Sequence, residues 1–108
     1  MDVRDELVQT YRWLRQYGLN DSHSGNASVR AGEDIWITPT GACADTLEVD
    51  DLIHGKLDQL PPAGASLDGA LHWLSYRRNP AARAVLHSHG PHSLAVTWAG
   101  EDFLPPRL

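Results

Sequence analysis

One cysteine, one methionine and one phenylalanine stand among 108 residues. The single cysteine, Cys43, excludes an intramolecular disulfide, and nothing around it points to a thiolate nucleophile, so it reads as a small, semi-buried residue. Basic residues are scarce, with 9 Lys and Arg against 14 Asp and Glu and a net charge of −5. No basic run occurs, which argues against a nucleic-acid surface, and a moderate negative charge means mainly solubility. No apolar run approaches membrane-spanning length. The opening Met1-Asp2-Val3-Arg4-Asp5-Glu6 has no signal-peptide character. A reducing, cytoplasmic setting without membrane or nucleic-acid partners is the expectation.

What is present suits one small domain over residues 1–108, with 42% apolar and 21% charged residues. Val3, Leu7, Tyr11, Leu14 and Tyr17 recur at helical spacing up to Gly18. Residues 20–26 read as loop. Residues 27–30 and 35–37 read as two short strands joined by a turn near Gly32-Glu33-Asp34, a predicted hairpin. Thr38-Pro39-Thr40-Gly41 is a tight turn. Residues 47–53 carry a weak signal, helical or extended. Residues 59–65, with Pro61, Pro62 and Gly64, form a loop. Ser66 then reads as a helix N-cap, with Leu67, Ala70, Leu71 and Leu74 as the apolar face of a helix to about Arg78, ended by Asn79-Pro80. Residues 84–87 predict a buried strand, and Pro91 opens a further helix through Trp98. The four tryptophans, Trp13, Trp36, Trp73 and Trp98, read as core. This order predicts an α/β (α+β) layer fold, with helices packed around a mostly antiparallel central sheet.

The candidate chemistry begins at His87-Ser88-His89, at the end of the last strand. Side chains two apart in a strand share a face, so the two imidazoles project together as half of a metal site. An isolated His-x-His is more often structural than metal-binding. Asp68 lies in the first turn of its helix, where a carboxylate interacts favourably with the macrodipole. If that helix packs against the last strand, Asp68 reaches the imidazoles as ligand or as base. His72, four residues later on the same face, reads as a support residue. His92 reads as a surface residue at a helix start. Ser24-Gly25-Asn26, Thr38-Pro39-Thr40-Gly41 and Ser66 are three small, polar, anion-friendly positions.

Four segments in this order carry a resemblance: Gly25-Asn26-Ala27-Ser28-Val29-Arg30, Ile37-Thr38-Pro39-Thr40-Gly41, Ser66-Leu67-Asp68 with His72, and Val85-Leu86-His87-Ser88-His89. The chain resembles the class II aldolase/adducin family over most of its length, from Gly18 to Gly100. The resemblance implies that His87 and His89 fall on zinc histidines, with other divalent ions also suited to such ligands. It places Asn26, Thr40, Gly41 and Ser66 in a pocket for a substrate phosphate, and Asp68 at the acid/base position. The implied function is a zinc-dependent aldehyde-lyase acting on a small sugar phosphate or sugar acid. The metal would stabilise an enediolate as the C–C bond breaks, and Asp68 would move the proton. The alternatives are a 4-epimerase or decarboxylase of the same family, and a non-catalytic truncated relative serving as an interaction module. A homo-oligomer is expected, since family sites often lie between subunits and an exposed sheet edge invites pairing.

Two positions depart from the aldolase pattern. Leu67 stands where many members carry a second phosphate-binding serine. Asp68 stands where aldolases carry glutamate; it has about 1.5 Å less reach, which favours an epimerase-like or altered role. Family members are also longer, with a third zinc histidine well downstream. The chain is therefore expected to be the N-terminal portion of the family fold, apparently truncated.

Overall fold

The computed structural model describes residues 2–21 and 25–88. The predicted first helix forms as α1, Val3–Gln16. The Asp2 side chain accepts from the Arg4 N–H at its start, and Asp5 and Glu6 occupy the first turn, where carboxylates suit the helix dipole. At its end Gly18 takes φ +76°, a conformation that costs a residue without Cβ little, while the Leu19 N–H returns to the Leu14 carbonyl at 2.8 Å. Leu7, Val8 and Tyr11 are buried. Tyr17 is instead 71% exposed, because it follows the last helical turn and leaves the apolar stripe.

Among the described residues four antiparallel strands follow, β1 Asn26–Ala31, β2 Asp34–Ile37, β3 Ile53–Lys56 and β4 Ala84–His87, in spatial order β3-β2-β1-β4. The predicted hairpin is β1, Asn26–Ala31, and β2, Asp34–Ile37, with Val29 opposite Trp36. Within residues 47–53, a short 3-10 turn at Val49–Asp51 leads into β3, Ile53–Lys56. The last strand, β4, Ala84–His87, pairs with β1 and places His87 opposite Asn26. It is not the buried strand expected: Ala84 and Leu86 are exposed and Val85 and His87 half-buried, because β4 has one neighbour among the described residues.

Strand alternation divides the interior in two. Ala27, Val29 and Trp36 face α1, with Leu7, Val8, Tyr11, Ala44 and Leu47 around them. On the other face Ile35 and Ile37 meet Trp73 and Tyr76 of α2, Gly69–Arg78. Trp73 sits against β3 at Gly55, where a Cβ would lie 2.8 Å from its ring, and its indole N–H donates to the Lys56 carbonyl at 2.9 Å.

Helix α2 corrects the predicted face. Leu67, Leu71 and Leu74 are 89%, 57% and 44% exposed, while Gly69, His72, Trp73 and Tyr76 are buried. The buried stripe is partly polar and its polar atoms find partners on β1 and β3, so a hydrophobicity pattern selects the opposite side. Asp68, not Ser66, is the residue that caps this helix, although its side chain makes no capping bond. Of the tryptophans, Trp73 is core, Trp36 is half-buried and stacked on His54, and Trp13 is 46% exposed. Trp98 and the helix expected from Pro91 lie outside the described residues.

Candidate functional site

Three loops meet at one end of the sheet. The Thr38 hydroxyl accepts from the Ala27 N–H at 3.2 Å, fixing the 38–42 turn to the start of β1. The Ser66 N–H donates to the Thr38 carbonyl at 3.0 Å, and the Thr40 N–H to the Gly64 carbonyl at 2.9 Å, tying the same turn to the approach of α2. Between them lies a cleft of about 280 Å³ lined by Gly25, Asn26, Pro39, Thr40, Gly41, Ala42, Ser66, Leu67 and Asp68. Asn26, Thr40, Gly41, Ser66 and Asp68, widely separated in sequence, thus surround one space.

The donors in this cleft are unevenly engaged. Thr40 spends both of its own: the backbone N–H on Gly64 and the hydroxyl on the Ala65 carbonyl at 2.6 Å. The Ser66 Oγ accepts a long 3.4 Å bond from the Asp68 N–H. The Gly41 and Leu67 N–H groups donate to no carbonyl among the described residues. Backbone N–H groups in such turns, together with a serine hydroxyl ahead of a helix, form the kind of concavity that suits an anion. Among the described residues no lysine or arginine lines the cleft, so the donors they offer an anion there are oriented dipoles.

Asp68 joins the cleft to β4. Its Oδ2 accepts from the Asn26 amide nitrogen at 2.7 Å and from His87 Nδ1 at 3.0 Å. Both bonds fall on one oxygen, and Oδ1 has no hydrogen-bond partner among the described residues. The Asn26 amide, and after it the His87 ring, hold the Asp68 carboxyl below the usual carboxylate range, so it is ionised at neutral pH. A carboxylate on the Nδ1–H side of an imidazole fixes the tautomer in which Nε2 carries the lone pair, the arrangement common behind metal-ligating histidines. That donor chemistry fits a divalent metal. Among the described residues no group of three or more His, Cys, Asp or Glu side chains is arranged to hold one. His89 and His92 lie outside the described residues.

His72 is buried behind the cleft. Its Nε2 bonds the Asn26 side-chain oxygen, and its Nδ1 lies 2.7 Å from the Ser28 hydroxyl, which is also 2.7 Å from the Tyr76 hydroxyl. The local Asp68–His72 side-chain bond open to an i, i+4 pair is not the one made; His72 turns to β1 instead. Burial pushes its imidazole down to about 4, so it is neutral at pH 7. Ser28 and Tyr76 are partners that sequence reasoning missed. The available signals were a small polar residue two places after Asn26 on the same strand face, and a tyrosine four places after His72.

Residues 5–108 match the class II aldolase and adducin N-terminal domain. A 3-oxo-tetronate 4-phosphate decarboxylase of Cupriavidus necator is 32% identical, aligned over 96% of this chain and 51% of its own length. A 5-methylthioribulose-1-phosphate/5-deoxyribulose-1-phosphate aldolase of Rhodospirillum rubrum is also 32% identical, over 91% of this chain and 45% of its own. The crystal structure of L-fuculose-1-phosphate aldolase from Thermus thermophilus superimposes with a TM-score of 0.78 at 32% identity, covering 91% of this chain and 52% of that one. The chain thus spans about half the length of these relatives. With a family match over residues 5–108 and a superposition at TM-score 0.78 covering 91% of its length, the chain belongs to the class II aldolase and adducin family.

Proposed function

We propose that this chain carries the substrate-binding and proton-handling part of a metal-dependent, aldolase-type lyase acting on a small sugar phosphate or sugar acid. The observation that carries this reading is the placement of the Asp68 carboxylate, bonded to His87 at 3.0 Å, at the edge of a cleft whose other wall offers N–H donors. The proposed binding residues are Asn26, Thr40, Gly41 and Ser66. Gly41, Leu67 and Ser66 would meet the phosphate with donors, whereas Thr40 contributes the shape of its turn. Leu67 presents no side-chain hydroxyl, so its backbone must serve.

His87 and His89 would hold the metal, with zinc the first choice for imidazole ligands and other divalent ions suited as well. When bound, the ion supplies a Lewis acid for negative charge developing on a substrate oxygen. Asp68 acts on the proton: Oδ2 stays in its two bonds while Oδ1 takes up or returns a proton at the substrate. The setting proposed is a cytoplasmic homo-oligomer; no helix among the described residues is long and apolar enough to cross a membrane. Decarboxylation is the second reading, favoured by the Cupriavidus necator relative at 32% identity.

The test assays zinc-loaded protein with L-fuculose 1-phosphate, 5-methylthioribulose 1-phosphate and 3-oxo-tetronate 4-phosphate, reading aldehyde and carbon dioxide release. Metal content is measured alongside for wild type, His87→Ala and His89→Ala. Aldehyde release that disappears in Asp68→Asn, with lower metal content in both histidine variants, supports the lyase. Carbon dioxide release instead selects the decarboxylase. No turnover at full metal occupancy, or equal metal content in all three proteins, refutes the proposal and leaves a non-catalytic binding module.

A further inference from the structure

We infer that His72 is a positioning residue: through a directed hydrogen-bond chain, Tyr76–Ser28–His72–Asn26, it fixes the orientation of the Asn26 amide and thereby the seat of the Asp68 carboxylate. The direction of each bond follows from the groups themselves. An ionised carboxylate only accepts, so Asn26 must turn its NH2 toward Asp68 Oδ2, 2.7 Å away. The oxygen of the same amide then faces His72 Nε2, which must carry the ring proton. Nδ1 of the neutral ring is left as an acceptor, and the Ser28 hydroxyl 2.7 Å away donates to it. Ser28 Oγ in turn accepts from the Tyr76 hydroxyl at 2.7 Å.

Every proton in this series has one place. If the His72 proton moved to Nδ1, Nε2 would need a donor, and the Asn26 amide would have to turn over. Its oxygen would then confront Asp68 Oδ2, two acceptors at bonding distance, and the charge-assisted bond would be lost. The 3.4 Å approach of the Asn26 nitrogen to His87 Nδ1 fits this assignment, since both are donors converging on the same carboxylate oxygen. Asn26, Ser28, His72 and Tyr76 are all buried, so water cannot readily substitute for a missing partner. The chain joins α2 to β1 and ends at the carboxylate that receives His87 of β4. His72 is not itself among the residues that line the cleft; it acts through Asn26, which is.

The kinetic arm of the test rests on the function proposed above; the spectroscopic arm does not. Nuclear magnetic resonance of 15N-labelled wild type at neutral pH is expected to show His72 as a single tautomer protonated on Nε2. His72→Phe should shift the Asn26 side-chain amide resonances and speed their hydrogen exchange. It should lower kcat about tenfold with KM within about twofold, the lower end of outer-shell effects. His72→Gln, which can return an N–H to the Asn26 oxygen, should restore kcat most of the way. A wild-type ring protonated on Nδ1 overturns the inference without any variant. So do Asn26 resonances unchanged in His72→Phe, or a kcat equally low in His72→Gln. Absence of turnover in wild type would count against the proposed function alone, while the ring proton and the Asn26 amide still decide this one.

Discussion

Acidification should destabilise this fold through one buried ring. His72 is 1% exposed, and its folded value of about 4 stands well below the ordinary 6.5 of a histidine. The unfolded chain therefore binds a proton that the folded chain refuses, and stability must fall as pH drops through this interval. The contribution is fully present above pH 6.5 and exhausted below about 4. At about 1.4 kcal/mol per unit, the gap is worth roughly 3 kcal/mol, of which about 1 kcal/mol is already lost at pH 5.5. Asp68 has the same sign in a lower window, since its lowered carboxyl loses its contribution only as pH falls below the ordinary carboxylate value of 3.8. The ring meets Ser28, itself bonded to Tyr76, on one side and Asn26 on the other, with Asp68 and His87 acting on it through charge. Urea unfolding of metal-free protein between pH 7.5 and 4 should show the slope in wild type, and His72→Gln should remove it from the difference curve. A His72 ring that titrates near 6.5 in the folded protein, or identical slopes in the two proteins, would refute the reasoning.

Three further outcomes follow from packing. Gly55→Ala places a Cβ 2.8 Å from the Trp73 ring and 2.9 Å from Pro62 Cδ; a loss of about 1–3 kcal/mol is expected in chemical denaturation. Leu71→Gln, on the outer face of α2, should change stability by less than about 0.5 kcal/mol, whereas a melting point lowered by many degrees would return Leu71 to the core. Tyr76→Phe removes the donor to Ser28 and should cost about 1–2 kcal/mol without altering the circular dichroism of the fold.

The legible parts of this chain were those where local chemistry and tertiary environment agree. Helix α1 has its periodicity, its Asp2 cap and Gly18; the β1–β2 hairpin has alternation and Gly32. Strand β3 was not separable because Gly55, at its centre, interrupts the apolar alternation, and the reason for that glycine is Trp73, 18 residues away in sequence. Helix α2 was legible in position and misread in rotation. Its leucines point outward, and its inward face holds His72 and Tyr76, whose polar atoms require partners on β1 that no local pattern specifies. At the site, reach from Asp68 to His87 was conditional on packing that α2 and β4 do provide. The resemblance places Asn26 in a phosphate pocket. Its amide is in fact engaged on both sides, by His72 and by Asp68, so only two contacts distant in sequence reveal its second role.

The interior between α2 and β1 is the strongest physical argument that the site has work to perform. Replacing a buried polar network by apolar residues of similar volume is often neutral or stabilising, because the desolvation of each polar group is then avoided. A domain needing only stability would be served by leucine or phenylalanine where Ser28, His72 and Tyr76 stand, next to Ile35, Ile37 and Trp73. The chain instead places polar groups there and leaves its leucines on the solvent side of the same helix. The arrangement becomes intelligible once it is followed to its end, where Asn26 presents an amide donor, and β4 an imidazole, to one oxygen of Asp68. Hydrophobic packing can bring two elements together, but it cannot choose which atom of a carboxamide faces a carboxylate. A directed series of hydrogen bonds can, and the proton handling proposed for Asp68 requires that choice to be made before substrate arrives.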